Sequence, residues 1–276
     1  RNVKFKEVLQ NVATSTLLAN ATCDFDAAGS TVTLTEKILQ TNDLQVNMQL
    51  CKSQFFNTWQ SAEMGASQFS DLPKSFSDYL LGYVAGKVAA EMETTLWSGA
   101  AGAAGGLTDG GFTVLAAAQA PAANIIAPAA VTALNVIDEL GKVVDALPQE
   151  IYGKEDLKLY VAPNVARSYV RALGGFGANG LGANGTNGQG TQWYTNGSLS
   201  FDGIAIFMSN GIPSSHVFAA CTSNLMYGCG VLSDKNEVKV IDLADIDGSQ
   251  NVRFVMRFTA GVQHGFGSDI VLYTPA

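Results

Sequence analysis

The sequence predicts an α+β protein, and three observations carry that prediction. Residues 72 to 96 hold an apolar stripe at helical spacing. Leu44, Val46, Met48 and Leu50 alternate strictly with Gln45, Asn47 and Gln49, as in a half-buried strand. Beyond residue 200 the chain breaks into short β-rich runs between turns. The 276 residues suffice for one large or two modest domains with a real core. At 47% hydrophobic the chain is no disordered segment, yet only 14% is charged, against about 25% in a typical soluble domain. A surface so poor in charge is weakly protected against association, which points to much of it lying against other subunits. Sixteen basic against 24 acidic residues give −8 with no basic run, which disfavours sequence-specific nucleic-acid binding.

Residues 1 to 27 alternate short apolar and polar runs and read as an arm with weak autonomy; three basic side chains and no apolar stretch in the first ten residues do not fit a signal peptide. Alternation resumes over Thr31 to Leu34, and Thr41, Asn42 and Asp43 supply turn chemistry before the second alternating run. Together these predict a long hairpin whose face of Leu44, Val46, Met48 and Leu50 needs a partner, because a two-stranded hairpin alone is marginal in water.

A helix of roughly 26 residues, about 39 Å at 1.5 Å per residue, follows. Asp71 is its N-cap and Pro73 lies just inside its start. Its stripe is Leu72, Phe76, Tyr79, Leu80, Tyr83, Val84, Val88, Met92 and Leu96, and Gly99 ends it. No charge occurs between Asp109 and Asp138, but Pro121, Pro128, Gln119 and Asn124 break that run, which argues against a membrane span. A second amphipathic helix is expected over 129 to 146 with Val131, Leu134, Ile137, Leu140 and Val144 on one side. A buried strand over 157 to 161 and a helix over 163 to 173 come next. Residues 174 to 190 contain eight glycines, a composition that packs no core and forms a mobile loop. Strands are then predicted over 204–208, 217–221, 224–227, 238–241, 252–258 and 270–273.

No motif meets the geometry that catalysis needs. The overlapping Gly175-x-Gly177-x-x-Gly180 and Gly180-x-Gly182-x-x-Gly185 runs match the dinucleotide fingerprint in form only, since a helix precedes them and none clearly follows. Asp242, Asp245 and Asp247 lack the carboxylates a calcium loop requires at its first and twelfth positions. His216 and His264 are the two histidines, and both read as structural. Cys23, Cys51, Cys221 and Cys229 are too scattered for a disulfide framework or a zinc ribbon, which leaves reduced thiols. Glu91 and Glu93 fall on different sides of the long helix and read as solvated. The sequence thus assigns no catalytic residue, no cofactor and no metal.

The order of segments says more. An arm, a long hairpin, a long helix ending in Glu91-Met-Glu93-Thr-Thr-Leu96-Trp97-Ser-Gly99, then a mixed region with a glycine-rich loop, closing on strands, resembles the major capsid proteins of tailed bacteriophages with the Hong Kong 97 type fold. Leu157-Lys-Leu-Tyr160-Val-Ala-Pro163, Phe201-Asp-Gly203-Ile-Ala-Ile206 with Asn210-Gly-Ile-Pro213, Cys221-Thr-Ser-Asn224-Leu-Met-Tyr-Gly228 and Arg253-Phe-Val-Met-Arg257-Phe-Thr-Ala-Gly261 extend the resemblance over nearly the whole chain. It implies an N-terminal arm (1–27), an extended loop lying over a neighbour (28–68), a peripheral domain with the spine helix (69–165), an axial domain with the glycine loop (166–249) and returning peripheral strands (250–276). Leu44, Val46, Met48 and Leu50 become the expected assembly contacts. The implied function is a non-enzymatic shell subunit forming hexamers and pentamers of an icosahedral virion that encloses double-stranded DNA, which it contacts without sequence specificity. Assembly in the host bacterial cytoplasm, contact with portal, decoration or scaffolding proteins and no membrane association go with it. In that family an N-terminal segment is often cleaved, and a chain beginning at Arg1 is compatible with that. Some members crosslink lysine to asparagine; Lys37 and Lys52 flank the hairpin. An encapsulin-like nanocompartment shell resembles the same fold and is the alternative, ahead of a nucleotide-binding enzyme using the glycine loop.

Overall fold

Alternation of apolar and polar residues produces strands on either side of the position where the sequence predicts a turn, but those strands do not pair with each other. The computed structural model describes residues 2–14, 23, 32–55, 74–127, 129–174, 199–230 and 238–275. Strand β1 (Lys6–Thr14) pairs antiparallel with β2 (Val32–Gln40), from Lys6↔Gln40 to Thr14↔Val32. Strand β3 (Asn42–Cys51) leaves in another direction and pairs with a late, 14-residue strand, Asn251–His264, from Asn42↔Ala260 to Cys51↔Asn251. The predicted hairpin of β2 with β3 is therefore corrected. Only Thr41 separates the two strands, fewer residues than the two-residue connection of a tight hairpin. Its N–H and Oγ1 both donate to the Phe5 carbonyl, which fixes the bend against the start of β1.

Helix α1 (Lys74–Ser98) has the predicted length; its expected cap at Asp71 to Pro73 lies outside the described residues, as do residues 175–190 of the expected glycine loop and residues 56–68 of the expected extended loop. Leu80 and Val84 of α1 are buried with Phe254 of the late strand. Around them pack Val46, Met48 and Leu50 of β3 together with Leu81, Val88, Val238, Val240 and Met256. The face predicted to await a neighbour is thus covered by the chain's own long helix, and Leu44 at its end joins the main core. The physical reason is the register: β3, the late strand and Val238–Asp242 turn every second residue toward α1.

After α1 the chain turns back into α2 (Phe112–Gln119), passes β4 (Ile125–Ile126) and forms α3 (Val136–Asp145). The helix predicted from 129 starts only at 136. Asn135 Oδ1 accepts the Thr132 N–H at 2.6 Å and its hydroxyl at 2.9 Å, which holds residues 132–135 in a turn. Val136, Leu140 and Val143 are consequently its buried apolar residues, with Glu139 buried beside them, whereas Leu134 is 97% exposed and Ile137 is exposed. Strand β5 (Leu157–Val161) leads into α4 (Pro163–Gly174); β6 (Leu199–Phe201), β7 (Ile204–Met208), β8 (Val217–Cys221), β9 (Leu225–Gly228), β10 (Val238–Asp242), β11 (Asn251–His264) and β12 (Val271–Tyr273) follow. One sheet has the order β4-β12-β8-β5-β7-β6, and a second the order β10-β11-β3, with β9 pairing the last residues of β11. The six-stranded sheet, α2, α3, α4 and Trp97 of α1 share one core. A domain boundary at 165/166 falls within the first turn of α4, inside the unit this core holds together.

Candidate assembly surface

Strands β1 and β2 form a two-stranded ribbon with two unlike faces. On one, Leu9 and Leu39 are buried with Val3 against Met226 of β9. The same side is tied to the body by Asn11 Nδ2 donating to the Gly265 carbonyl (2.8 Å) and by a 2.9 Å contact between Lys37 Nζ and His264 Nδ1. Gln263 Nε2 also donates to the Ile38 carbonyl at 3.2 Å. Gly261 on β11 sits where a Cβ would overlap the Gln40 carbonyl, so glycine is what lets β11 pass beneath the bend between β2 and β3.

Among the described residues nothing covers the opposite face. Val8↔Ile38 and Val12↔Leu34 are cross-strand pairs, with Gln10↔Glu36 between them and Val32 beyond. Val12 is 56% exposed, Val32 64% and Leu34 67%; Val8 and Ile38 are also exposed. Five apolar side chains on one side of a ribbon, divided by the Gln10–Glu36 pair, form an exposed apolar surface of the kind that marks an interaction site. Sequence reasoning missed it, although the signal was present: Val32, Leu34, Glu36 and Ile38 share one parity, as do Val8, Gln10 and Val12.

The second feature is the joint between α1 and the six-stranded sheet. Trp97 packs against Tyr160 (5.0 Å between ring centroids), Phe112 (5.6 Å) and Phe218 (5.6 Å, edge-on), and its carbonyl accepts the Thr113 hydroxyl at 2.7 Å. Glu93 Oε1 accepts the Ser209 hydroxyl (2.6 Å) and the Asn210 N–H (2.9 Å), so it clamps the turn after β7 and is not simply solvated. Gly211 lies where a Cβ would overlap the Glu93 carbonyl. Replacing Glu93 with alanine leaves the buried Ser209 hydroxyl without its carboxylate. It should cost about 1 to 3 kcal/mol in urea unfolding, whereas Glu91→Ala, on the exposed side, should change stability by less than about 0.5 kcal/mol.

The other residues singled out in the sequence are spread over the molecule. Lys52 is buried and paired with Asp242, and Asp242 Oδ1 also accepts the Ala244 N–H. His216 bonds Ser214 and Thr274 through its two ring nitrogens. His264 is the last residue of β11 and fully buried. Cys23, Cys51, Cys221 and Cys229 form no disulfide. Among the described residues no group of three or more His, Cys, Asp or Glu could hold a metal ion, and no helix is long and apolar enough to cross a membrane.

A long helix across a three-stranded sheet, a six-stranded sheet carrying three helices and a projecting two-stranded ribbon together define the Hong Kong 97 type fold. Solved structures that share it include phage and capsid chains. The capsid of a native GTA particle matches at a TM-score of 0.63 and 14% identity, covering all of this chain and 87% of that one. A chain of Microbacterium phage Oxtober96 matches at 0.60 and 14%, covering 100% and 89%, and one of Gordonia phage Cozz at 0.59 and 12%, covering 100% and 83%. No protein-family model and no curated protein matches the sequence.

Proposed function

We propose that this chain is the major capsid protein of a tailed bacteriophage, a structural subunit that self-assembles through hexamers and pentamers into an icosahedral shell around double-stranded DNA. The uncovered apolar face of the β1–β2 ribbon carries this reading, and the capsid chains of the same fold support it. The ribbon, rather than residues 28–68, takes the part of the extended loop lying over a neighbour. The peripheral domain is then α1 with β3, β11 and β10. The axial domain is the six-stranded sheet with α2, α3 and α4, from whose α4–β6 connection the glycine-rich segment comes. Portal, scaffolding or decoration proteins and assembly in the bacterial cytoplasm belong to the same proposal.

Each of Val8, Val12, Val32, Leu34 and Ile38 that a neighbour buries fully contributes about 1.5 to 3 kcal/mol before ordering costs. The double variant Val12→Asp/Leu34→Asp should keep the monomer's circular dichroism and melting temperature, because both side chains face solvent there. It should form no particles at concentrations where the unaltered chain does, since assembly would bury unpaired carboxylates. Gradient sedimentation and negative-stain microscopy check this; particles of normal size and yield from the variant would reject the reading.

A further inference from the structure

Strand β3 is the outer strand of the β10-β11-β3 sheet, and among the described residues its far edge pairs with no other strand. In an antiparallel pair every second residue turns its N–H and C=O away from the partner, so this ten-residue strand presents a row of about five such residues along its edge. Folded proteins blunt free edges by keeping them short or by placing lysine, proline or a bulge on them. The chain does so elsewhere: β4 has two residues and β6 three, β10 carries Lys239, and the ribbon strands carry Lys6 and Lys37. Strand β3 has none of these devices. Residues 44–51 contain no charge, proline or glycine, and Asp43 is the strand's one charged side chain.

We propose that the free edge of β3 pairs with β3 of a second copy across a twofold axis, joining the two sheets in the order β10-β11-β3-β3-β11-β10. The proposal rests on the assembly reading above and adds to it a contact in which the ribbon takes no part. The edge is self-complementary. An axis normal to the sheet runs the two copies of β3 antiparallel and keeps both α1 helices on one side. With Val46 on that axis, Leu44 lies opposite Met48 of the second copy on the α1 face. On the other face Gln45 lies opposite Asn47 of the second copy, and Asp43 opposite its Gln49; all four are exposed in the monomer. No like charges meet, and the carboxylate faces an amide. Arg253 Nε donates to Gln49 Oε1 at 3.0 Å, which engages the acceptor of that amide and leaves its N–H2 group to donate to Asp43 of the second copy. Directly opposed pairs of this kind are what stabilises a sheet. A one-residue slip would set the apolar face of one strand beside the polar face of the other, and an axis at Asn47 would leave Asp43 opposite Cys51, without its amide donor.

Sedimentation velocity of the full chain, below the concentration at which particles form, measures the dimer. Gln45→Lys/Asn47→Lys sets lysine opposite lysine on both sides of the axis. It should raise the concentration needed for half-dimerisation by about tenfold or more while leaving the monomer's circular dichroism unchanged, because both side chains face solvent there. Gln45→Lys/Asn47→Glu sets opposite charges at the same two places and should dimerise at low salt as the native chain does, and less well at high salt. Chains carrying Gln45→Cys or Asn47→Cys, mixed and oxidised before and after assembly, should form a disulfide from 45 to 47 between copies that peptide mass spectrometry identifies and that neither chain forms alone. Unchanged dimerisation of the double-lysine variant, equal loss in both charge variants, or absence of the mixed disulfide in dimers and in particles would overturn the proposal. Val12→Asp/Leu34→Asp should still dimerise through β3 while closing no particles, so the capsid reading survives a failure of the β3 contact; a native chain monomeric at every concentration and salt would overturn both.

Discussion

Trp97→Ala will cost about 3 to 5 kcal/mol of folding stability, the range for emptying a large aromatic site in a packed core. That is a large share of the roughly 5 to 15 kcal/mol that holds a typical domain together. The ring lies within 5.6 Å, centroid to centroid, of Tyr160, Phe112 and Phe218, and so joins the last turn of α1 to β5, α2 and β8 at one point. The backbone cannot close the cavity easily: Gly111 is already packed against the Trp97 carbonyl, at a distance where a Cβ would overlap it, and Gly211 lies on Glu93 one turn earlier. Trp97→Phe retains two-thirds or so of the ring volume and should cost less than half as much. Urea unfolding followed by circular dichroism measures both. A loss below about 1 kcal/mol for Trp97→Ala would mean that α1 is not anchored to the six-stranded sheet through this residue. Because α1 also carries the β3–β11–β10 sheet, the alanine variant should show faster hydrogen exchange in both units and lower particle yield.

What could be read from the sequence was local. Helix α1 announced itself by its stripe and its terminal glycine, and β5, β7 and β8 by short runs dense in apolar residues; their partners are sequence neighbours or need no partner to be recognised. The pairing of β3 was not legible, because its register is with β11, some two hundred residues away, and alternation specifies a face without specifying a neighbour. Thr41-Asn42-Asp43 has the composition of a turn and acts as one, but it turns the chain out of one sheet into another. That error moved the expected assembly contacts onto Leu44, Val46, Met48 and Leu50, which the structure places on α1 and in the main core. The ribbon's real uncovered face stayed hidden because β1 carries apolar residues on both sides. Leu9 serves the body and Val8 and Val12 serve solvent in the monomer, so no clean period of two emerges. Glu93 was hidden for another reason: its partners, Ser209 and Asn210, come from a turn more than a hundred residues later.

The anchoring of the ribbon should be sensitive to acid, and the sign follows from His264. This imidazole is fully buried, and burial, reinforced by the Lys37 ammonium 2.9 Å away and only partly offset by the Leu115 backbone, pulls its pKa down to about 4 from an ordinary 6.5. The unfolded chain accepts a proton at pH 6.5 and the folded chain refuses it until about pH 4. Between those values the unfolded state therefore binds more protons, and stability falls as pH falls. Above pH 6.5 the contribution is fully present; by pH 4 about 3 kcal/mol has been lost, at up to 1.4 kcal/mol per pH unit. Carboxylates add their own slopes, so the decisive quantity is the difference between variants. His264→Gln should unfold with a flatter pH dependence over this window. Lys37→Met, which removes the nearby charge, should raise the imidazole's pKa toward its ordinary value, so the loss still begins near pH 6.5 but ends at a higher pH and is smaller. The same protonation sets two cations side by side at the only lysine of β2, so amide exchange over residues 32–40 should quicken before global unfolding as the pH approaches 4. Parallel pH–stability curves for the native chain and His264→Gln would show that this contact does not hold the ribbon to the body.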